Sequence, residues 1–86
     1  MKSIATARFW KLFRELPQDI QELATKNYGL WCEDPSHPSL RFRRLKGSSD
    51  RFTIRVGDRY RAMGRLKDEM VIWTWIGTHA DYDQLV

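Results

Sequence analysis

The first third of the chain repeats its apolar residues at intervals of three and four, the spacing of an amphipathic helix. Two such stripes occur, Phe9, Leu12, Phe13, Leu16 and then Ile20, Leu23, Ala24, Tyr28, Trp31. Thr6 suits the N-cap of the first helix, and Pro17 ends that helix while also suiting the first position of the next. Gly29 predicts a last turn that frays or ends before Trp31. The sequence therefore predicts two helices with almost no linker between them.

From residue 40 onward the spacing changes to a period of two, which indicates β-strands. Leu40–Arg43 alternates in this way, and Arg51–Leu66 predicts a hairpin around a turn at Val56–Arg59. Met70–Ile76 is apolar on both faces, so we expect an internal strand that is covered on both sides. Its two predicted faces are Val71, Trp73, Trp75 and Met70, Ile72, Ile76. Met1–Ala5 is short and weakly patterned, and predicts no more than a stub of edge strand.

In chain order these elements predict an α+β fold, with two N-terminal helices packed on one face of an antiparallel four-stranded meander. The polar stretch Gly77–Asp83 leaves the internal strand, and we expect it to form one helical turn. The chain has 86 residues, of which 42% are hydrophobic and 13% aromatic. This is enough for one core and too little for two, so we expect a single domain over residues 1–86.

Composition also suggests the cellular setting. The single cysteine, Cys32, cannot form an internal disulfide, which fits a reducing compartment. No apolar run approaches the roughly 20 residues of a membrane span, and no signal-peptide pattern opens the chain. We therefore expect a cytoplasmic protein without a membrane partner.

Charge is distributed unevenly along the chain. The net charge is +4, yet residues 40–67 hold ten lysines and arginines against two aspartates. The ten are Arg41, Arg43, Arg44, Lys46, Arg51, Arg55, Arg59, Arg61, Arg65 and Lys67. Along the hairpin, arginines alternate with apolar residues, so one of its faces is basic. This distribution predicts a polyanionic or acidic partner, and a solvated sheet face is the alternative.

Several kinds of site have no support in the sequence. Cys32, His37 and His79 are far apart and show no spacing of metal ligands. No phosphate loop, dinucleotide fingerprint or nucleophile motif is present. We therefore expect neither a metal nor a cofactor.

Cleavage of RNA without a metal is compatible with these residues, because the 2′-hydroxyl of RNA is itself the nucleophile. An enzyme then has to hold the phosphate and move protons. Arg55 and Arg61 are the hairpin arginines expected to lie beside the tail and to hold the phosphate. His79 can act as acid or base, and Tyr82 can stack on a base or assist proton transfer. The side chains expected to contact the RNA backbone are Arg41, Arg43, Arg44, Lys46 and Arg65.

Each catalytic candidate also has a purely structural interpretation. His79 could cap the end of the internal strand, and Tyr82 could pack at the edge of the domain. The two hairpin arginines could be ion-paired with Asp81 or Asp83 and so hold the tail in place. The general base is left open between His79, an aspartate such as Asp81, and no side chain at all.

Three stretches of the chain show a resemblance to a known family. They are Leu45-Lys46-Gly47, Phe52–Arg61 and Ile72–His79. The family has a strand that ends in an arginine, a small residue and glycine, followed by tyrosine-arginine, and its last strand leads to a histidine or arginine. In these features, and in the order of its elements from Thr6 to Tyr82, the chain resembles the RelE/ParE superfamily of type II toxin–antitoxin toxins.

The resemblance implies a function as well as a fold. RelE, YoeB and HigB toxins are ribosome-dependent endoribonucleases that cut mRNA in the decoding site of the 30S subunit, whereas ParE toxins share the fold and act on DNA gyrase. The positions that correspond to nuclease residues by resemblance are Lys46, Arg55, Arg61, His79 and Tyr82.

From this resemblance we expect a RelE-type or HigB-type mRNA interferase that inhibits translation. A cognate antitoxin is implied as its partner, with an acidic or amphipathic segment that covers the basic face. Two alternatives stay open: a gyrase-inhibiting toxin of the ParE type without nuclease activity, and a toxin-fold protein that has lost its activity.

Overall fold

The computed structural model describes residues 2–85, so Met1 of the expected edge strand and Val86 of the expected domain lie outside the described residues. The helices are α1 (Ala7–Arg14), α2 (Gln18–Glu33) and α3 (His79–Leu85). The strands are β1 (Lys2–Ala5), β2 (Arg43–Arg44), β3 (Arg51–Val56), β4 (Tyr60–Lys67) and β5 (Met70–Thr78). A short 3-10 turn, Pro38–Leu40, precedes β2. Within the described range, no helix has the length and apolar character needed to cross a membrane.

The strands form one mixed sheet in the order β1-β5-β4-β3-β2. The run from β2 to β5 is antiparallel, as the sequence predicts. β1 instead pairs in parallel with β5, from Lys2 opposite Met70 to Ala5 opposite Trp73. The prediction of four antiparallel strands is therefore one strand short. Four residues are too few to show a periodicity, and β1 is defined only by its hydrogen bonds to a strand far along the chain.

Both predicted helices are confirmed, and both pack on the same face of the sheet. The Thr6 hydroxyl accepts a hydrogen bond from the Phe9 N–H at 3.1 Å, so the predicted N-cap is present. The apolar stripes of the two helices contact one core cluster. The buried members of that cluster are Trp31, Leu40, Ile54, Val56, Ala62, Val71, Trp73 and Ile76.

The second helix is longer than the sequence predicts, because it continues past Gly29 to Glu33. Trp31 provides the reason. Its side chain is fully buried, and its ring centroid lies 5.3 Å from that of Trp73 and 5.8 Å from that of Phe42. Burial of a large apolar side chain contributes about 1.5–3 kcal/mol. This exceeds the roughly 0.5–1 kcal/mol that a glycine costs inside a helix, so the last turns stay helical.

The strand expected at Leu40–Arg43 begins later. Leu40 is fully buried at the end of the 3-10 turn, and Arg41 has a left-handed φ of 48°. A strand cannot pass through that conformation, so pairing with β3 begins at Arg43, which lies opposite Thr53. Arg41 therefore lies outside the sheet.

The internal position of β5 is confirmed, but its two faces differ from the predicted alternation. The pairing with β4 shifts register at Gly64, where β5 contains one extra residue. Beyond this bulge Ile76 turns into the core beneath the helices. Trp75 turns to the other face, where its ring centroid lies 6.4 Å from that of Tyr82. The bulge therefore supplies the surface on which α3 packs.

Candidate functional site

The face of the sheet away from α1 and α2 is basic. Successive residues of a strand point to opposite faces, and Ile54 and Ala62 point into the core beneath the helices. Their neighbours in β3 and β4, with the adjoining position of β2, lie on the other face. This arginine face comprises Arg43, Arg51, Arg55, Arg61 and Arg65.

Two pairs of arginines lie directly opposite each other across the β3–β4 hairpin. Arg55 is the partner of Arg61, and Arg51 is the partner of Arg65. Like charges at directly opposite positions are destabilising. Each pair therefore requires a compensating group or a bound anion.

Arg55 is compensated within its own turn. Its Nε donates a hydrogen bond to the Gly57 carbonyl oxygen at 2.9 Å, and its terminal nitrogen contacts the carboxylate of Asp58. Gly57 has a φ of 66°, a conformation that brings the Asp58 side chain back towards β3. Arg55 contacts neither Asp81 nor Asp83, so the alternative that ion pairs join it to the tail is wrong.

Arg61 contacts the tail through a histidine. Its Nε donates a hydrogen bond to Nδ1 of His79 at 3.1 Å. On the far side of the ring, Nε2 lies 3.4 Å from Oδ2 of Asp83. The three side chains thus form a continuous row from β4 to α3. The predicted proximity of Arg61 and His79 is confirmed, whereas the proposed ion pair of Arg61 with a tail aspartate is not found.

Backbone contacts fix the start of α3 beside the hairpin. The His79 N–H donates to the Arg59 carbonyl oxygen at 2.7 Å, and the Thr78 hydroxyl accepts from the Asp81 N–H at 3.1 Å. A Cβ on Gly77 would lie 2.6 Å from the Trp75 ring, so only glycine fits there. The tail forms seven helical residues, which is longer than the single turn that the sequence predicts.

Tyr82 lies next to His79 and covers part of the bulged strand. Its ring centroid is 5.9 Å from that of His79 and 6.4 Å from that of Trp75. The tyrosine is half-buried, so one side of it packs while the other side is accessible to a ligand. Both interpretations of Tyr82, packing and stacking on a base, are compatible with this position.

The second arginine pair lies at the other end of the hairpin. Both Nε and a terminal nitrogen of Arg65 donate to Oδ2 of Asp50, at 3.1 and 2.9 Å. The pKa of Asp50 lies below its ordinary value of 3.8 because Arg65, and then the Ser48 hydroxyl, donate hydrogen bonds to its carboxylate. Arg65 is therefore an ion-paired residue.

The other predicted RNA-binding residues are exposed. Arg41, Arg43 and Lys46 all lie on the surface around β2 and the turn that follows it. Lys46 lines a polar depression of about 420 Å³ together with Arg51 and Arg65. Arg44 points to the opposite face, where its guanidinium lies 5.9 Å from the centre of the Phe52 ring. It therefore stands apart from the arginine face.

Four of the predicted site residues lie together at one end of the hairpin: Arg55, Arg61, His79 and Tyr82. The predicted RNA-binding residues lie at the other end of the hairpin and along the β2 edge. Sequence reasoning did not assign Asp83 to the site. A signal was present, because His79 and Asp83 are four residues apart, the spacing at which side chains meet on a helix. Because the sequence predicts only one helical turn here, this contact was not expected.

The helix side of the molecule carries a second feature that the sequence did not predict. An apolar groove of about 270 Å³ lies between β1, α1 and α2. Ile4, Trp10 and Tyr28 contribute to its lining and are 53%, 46% and 46% exposed. Contiguous exposed apolar patches, when they are large, mark interaction surfaces.

Arg61 and His79 together can bind a phosphate and transfer a proton to or from a group beside that phosphate. A guanidinium donates in a fixed fork that fits phosphate oxygens, and an imidazole changes its charge near neutral pH. Both groups are partly exposed, so a ligand can reach them.

A family model described as a ParE-like toxin domain matches residues 18–84. Solved structures show the same fold at low sequence identity. The RelB–RelE antitoxin–toxin complex from Methanococcus jannaschii aligns with a TM-score of 0.77 and 19% identity, covering 96% of this chain and 99% of that one.

Two E. coli toxins are also similar. The isolated RelE toxin gives a TM-score of 0.69 with 20% identity, covering 98% of this chain and 94% of its own. YafQ gives a TM-score of 0.74 with 14% identity, covering 94% and 96%. Comparison with curated proteins gives no match.

Proposed function

The chain belongs to the ParE-like toxin domain family, and on this premise we propose that it is the toxin of a type II toxin–antitoxin pair and cleaves mRNA on the ribosome. The observation that carries the proposal is the 3.1 Å contact between Arg61 and His79. It places a phosphate-binding cation and a group that transfers protons at one point of a basic surface. Binding alone would require only the cation.

The proposed roles follow from the chemistry of the side chains. Arg61 holds the scissile phosphate, with Arg55 opposite it adding positive charge. His79 moves the proton, and Tyr82 stacks on a base beside the scissile bond. Because Arg55 is bound to Asp58, it contributes mainly through its field until a phosphate competes for its donors. The 2′-hydroxyl supplies the nucleophile, so this reaction needs no further reactive group from the protein.

The exposed residues Arg41, Arg43 and Lys46 suit contacts with an RNA backbone rather than with particular bases. The site is an open surface and not a closed pocket, so the chain by itself has little with which to fix a flexible RNA strand. A ribosome that presents mRNA in the decoding site would supply that order. The activity would then take place in the cytoplasm.

The proposed partner is a cognate antitoxin. The M. jannaschii relative was solved as a RelB–RelE complex, which supports a protein partner for this chain. An acidic segment of the antitoxin would neutralise the arginine face, because five arginines there are matched by few carboxylates.

The proposal is tested by inducing the wild-type chain, Arg61→Ala and His79→Ala in cells and measuring growth together with mRNA cleavage by primer extension. We expect both variants to relieve growth arrest and cleavage while they still bind the antitoxin. Arg8→Ala, which removes an exposed arginine from α1, is the matched control and should remain toxic. Full toxicity of both site variants would refute the assigned roles.

A second candidate function is inhibition of DNA gyrase, because the matching family model is described as ParE-like. This function needs no proton transfer, so His79→Ala would stay toxic. The two functions are separated by the process that stops first after induction. Cleaved mRNA with loss of translation indicates the nuclease, whereas gyrase-linked DNA breaks with loss of replication indicate the inhibitor. Cleavage of purified mRNA with and without ribosomes then tests the dependence on the ribosome.

A further inference from the structure

We infer that Asp83 is a positioning residue for His79, which fixes the ring so that Nδ1, beside Arg61, is the atom that takes a proton from the substrate. This inference rests on the proposed nuclease function. It assigns a role to Asp83 and selects one of the two ring nitrogens as the reactive one.

The hydrogen bond from Arg61 and the carboxylate of Asp83 favour the same tautomer of His79. A guanidinium stays protonated at any physiological pH, so it can only donate. Nδ1 of His79 accepts its Nε–H at 3.1 Å and must therefore hold a free lone pair. In the neutral ring the proton then resides on Nε2, and this nitrogen faces Oδ2 of Asp83 at 3.4 Å. A carboxylate this close to one ring nitrogen favours the proton on that nitrogen and stabilises the ring orientation that places it there.

The backbone holds this arrangement in place. α3 begins at His79, whose N–H is bonded to the Arg59 carbonyl oxygen, and Tyr82 packs on the Trp75 ring one position before Asp83. The ring of His79 can therefore shift little relative to β4. The side chains of His79 and Asp83 are 46% and 62% exposed, so the row is accessible to RNA.

The charges around His79 explain how a phosphate would activate it. Arg61 contacts Nδ1 from β4, Asp83 faces Nε2 from α3, and Arg55 lies opposite Arg61 on β3 with its guanidinium bound to Asp58. When an anionic phosphate oxygen accepts the donors of Arg61, the lone pair of Nδ1 is released. Substrate binding therefore exposes the base at the point where the phosphate lies.

In the cleavage reaction His79 accepts one proton and later returns it. Nδ1 takes the proton of the 2′-hydroxyl while the 2′-oxygen forms its bond to phosphorus and the bond from phosphorus to the 5′-oxygen breaks. The 5′-oxygen leaves with the electron pair and takes a proton from water. The imidazolium formed at His79 keeps its Nε2–H towards the Asp83 carboxylate, which stabilises the positive charge. It later returns its extra proton to the hydroxide left by that water.

The test combines nitrogen NMR of the imidazole with cleavage kinetics. Two-bond ¹H–¹⁵N spectra of the free toxin show which ring nitrogen carries the proton, and they are recorded at a pH where the spectra themselves show a neutral ring. His37 gives the second signal and is identified by His37→Gln. We expect His79 to carry its proton on Nε2 in the wild type and to show a smaller share of this tautomer in Asp83→Asn, where only the Arg61 hydrogen bond still favours it.

On ribosome-presented mRNA, we expect Asp83→Asn to lower kcat by about 10- to 100-fold, less than the roughly 10²–10⁴-fold contribution of the proton-transferring group itself. KM should stay within about twofold, since phosphate binding belongs to Arg61. Asp83→Glu keeps a carboxylate and should recover most of the rate. Asp81→Asn is the matched control: it removes the same charge from the same helix, and the described residues give its carboxylate no contact with His79.

Each outcome decides a separate point. The inference is overturned, whatever the activity, if His79 of the wild type shows no preferred tautomer. It is also overturned if Asp83→Asn leaves the share of the two tautomers unchanged. A fixed tautomer with unchanged kcat in Asp83→Asn overturns the positioning role. Absence of cleavage by the wild type with ribosomes overturns the nuclease proposal and the role of Asp83 in it, while the spectra still report the tautomer by themselves.

Discussion

The two ends of the β3–β4 hairpin are built alike and differ in one addition. Each end carries a cross-strand pair of arginines, and the pairs lie four residues apart, about 13 Å at 3.3 Å per residue. At each end one arginine is held by an aspartate: Arg55 by Asp58, and Arg65 by Asp50. The remaining arginine differs. Arg61 meets His79 of α3, whereas Arg51 has no ion pair among residues 2–85.

Both ends of the hairpin can bind an anion, but only one of them also carries a side chain suited to proton transfer. Both ends attract an anion, since an arginine pair bound to a single aspartate keeps a net positive charge. Only the end that meets α3 holds an imidazole, which can accept a proton on one ring nitrogen and donate one from the other. We call the two ends the helix end (Arg55, Arg61, α3) and the turn end (Arg51, Arg65 and the turn Lys46–Asp50).

The largest effect is expected from a change that moves α3 off the helix end without altering any charge. In Gly77→Ala the new Cβ would lie 2.6 Å from the Trp75 ring, and this buried ring also supports Tyr82. We expect a loss of about 1–3 kcal/mol in the free energy of unfolding, as for other overpacked sites. We also expect at least about a tenfold loss of cleavage, because His79 is displaced.

The control for that change is Gly29→Ala, because the added Cβ has no atom within 4 Å and lies inside α2. It should raise stability by about 0.5–1 kcal/mol and leave cleavage unchanged. Chemical denaturation and primer extension measure the two effects. If Gly77→Ala cleaves and unfolds as the wild type does, the packing of α3 has no part in the chemistry.

An intermediate effect is expected at the turn end. Lys46→Gln and Arg51→Gln should each reduce the slope of log affinity against log salt by about 0.7 for a single-stranded RNA. Their kcat should change by less than about twofold, since neither side chain reaches His79. Fluorescence anisotropy in a His79→Ala background measures binding without cleavage. Lys26→Gln, on the exposed side of α2, should keep the wild-type slope. A loss of kcat at the turn end would remove the distinction between the two ends.

The smallest effect concerns the ion pair that holds the turn end together. Folding lowers the pKa of Asp50, so its contact with Arg65 stabilises the fold above pH 3.8 and is lost as the pH falls through the lower, folded value. The Tm of Asp50→Asn should therefore be below that of the wild type at neutral pH and should converge with it in acid. Asp68→Asn, an exposed turn residue with a φ of 53°, is the control. A difference that persists in acid would point to a cause other than the charge.

Much of the fold could be predicted from local pattern. The helical stripes, the cap at Thr6 and the hairpin around Gly57 depend on neighbours within a few residues, and all are confirmed. The stub of edge strand expected at Met1–Ala5 is found as β1 over the described residues 2–5, but its parallel partner could not be predicted, because four residues carry too little periodicity. The face of Trp75 could not be predicted either, because one extra residue at the bulge reverses the alternation that a period of two assumes.

The site was predictable to a similar degree. The meeting of the hairpin with the tail followed from the order of the strands, so His79 beside Arg61 was expected and is found. The contact between Arg55 and Asp58 was not expected, because the position of the Asp58 side chain depends on the left-handed φ of Gly57. Asp83 was missed because its contact with His79 requires a second helical turn, and polar residues alone do not indicate how far a helix extends.

The parallel pairing of β1 with β5 has a consequence for synthesis. Residues 2–5 are synthesised before the other described residues but find their partners only when residues 70–73 have emerged. Domains otherwise tend to fold from the N-terminus during translation, and contacts between distant residues form slowly. α3 directly follows β5, so His79 reaches Arg61 only after the sheet has closed. The contact between Arg61 and His79 is therefore among the last to form during synthesis of the described residues.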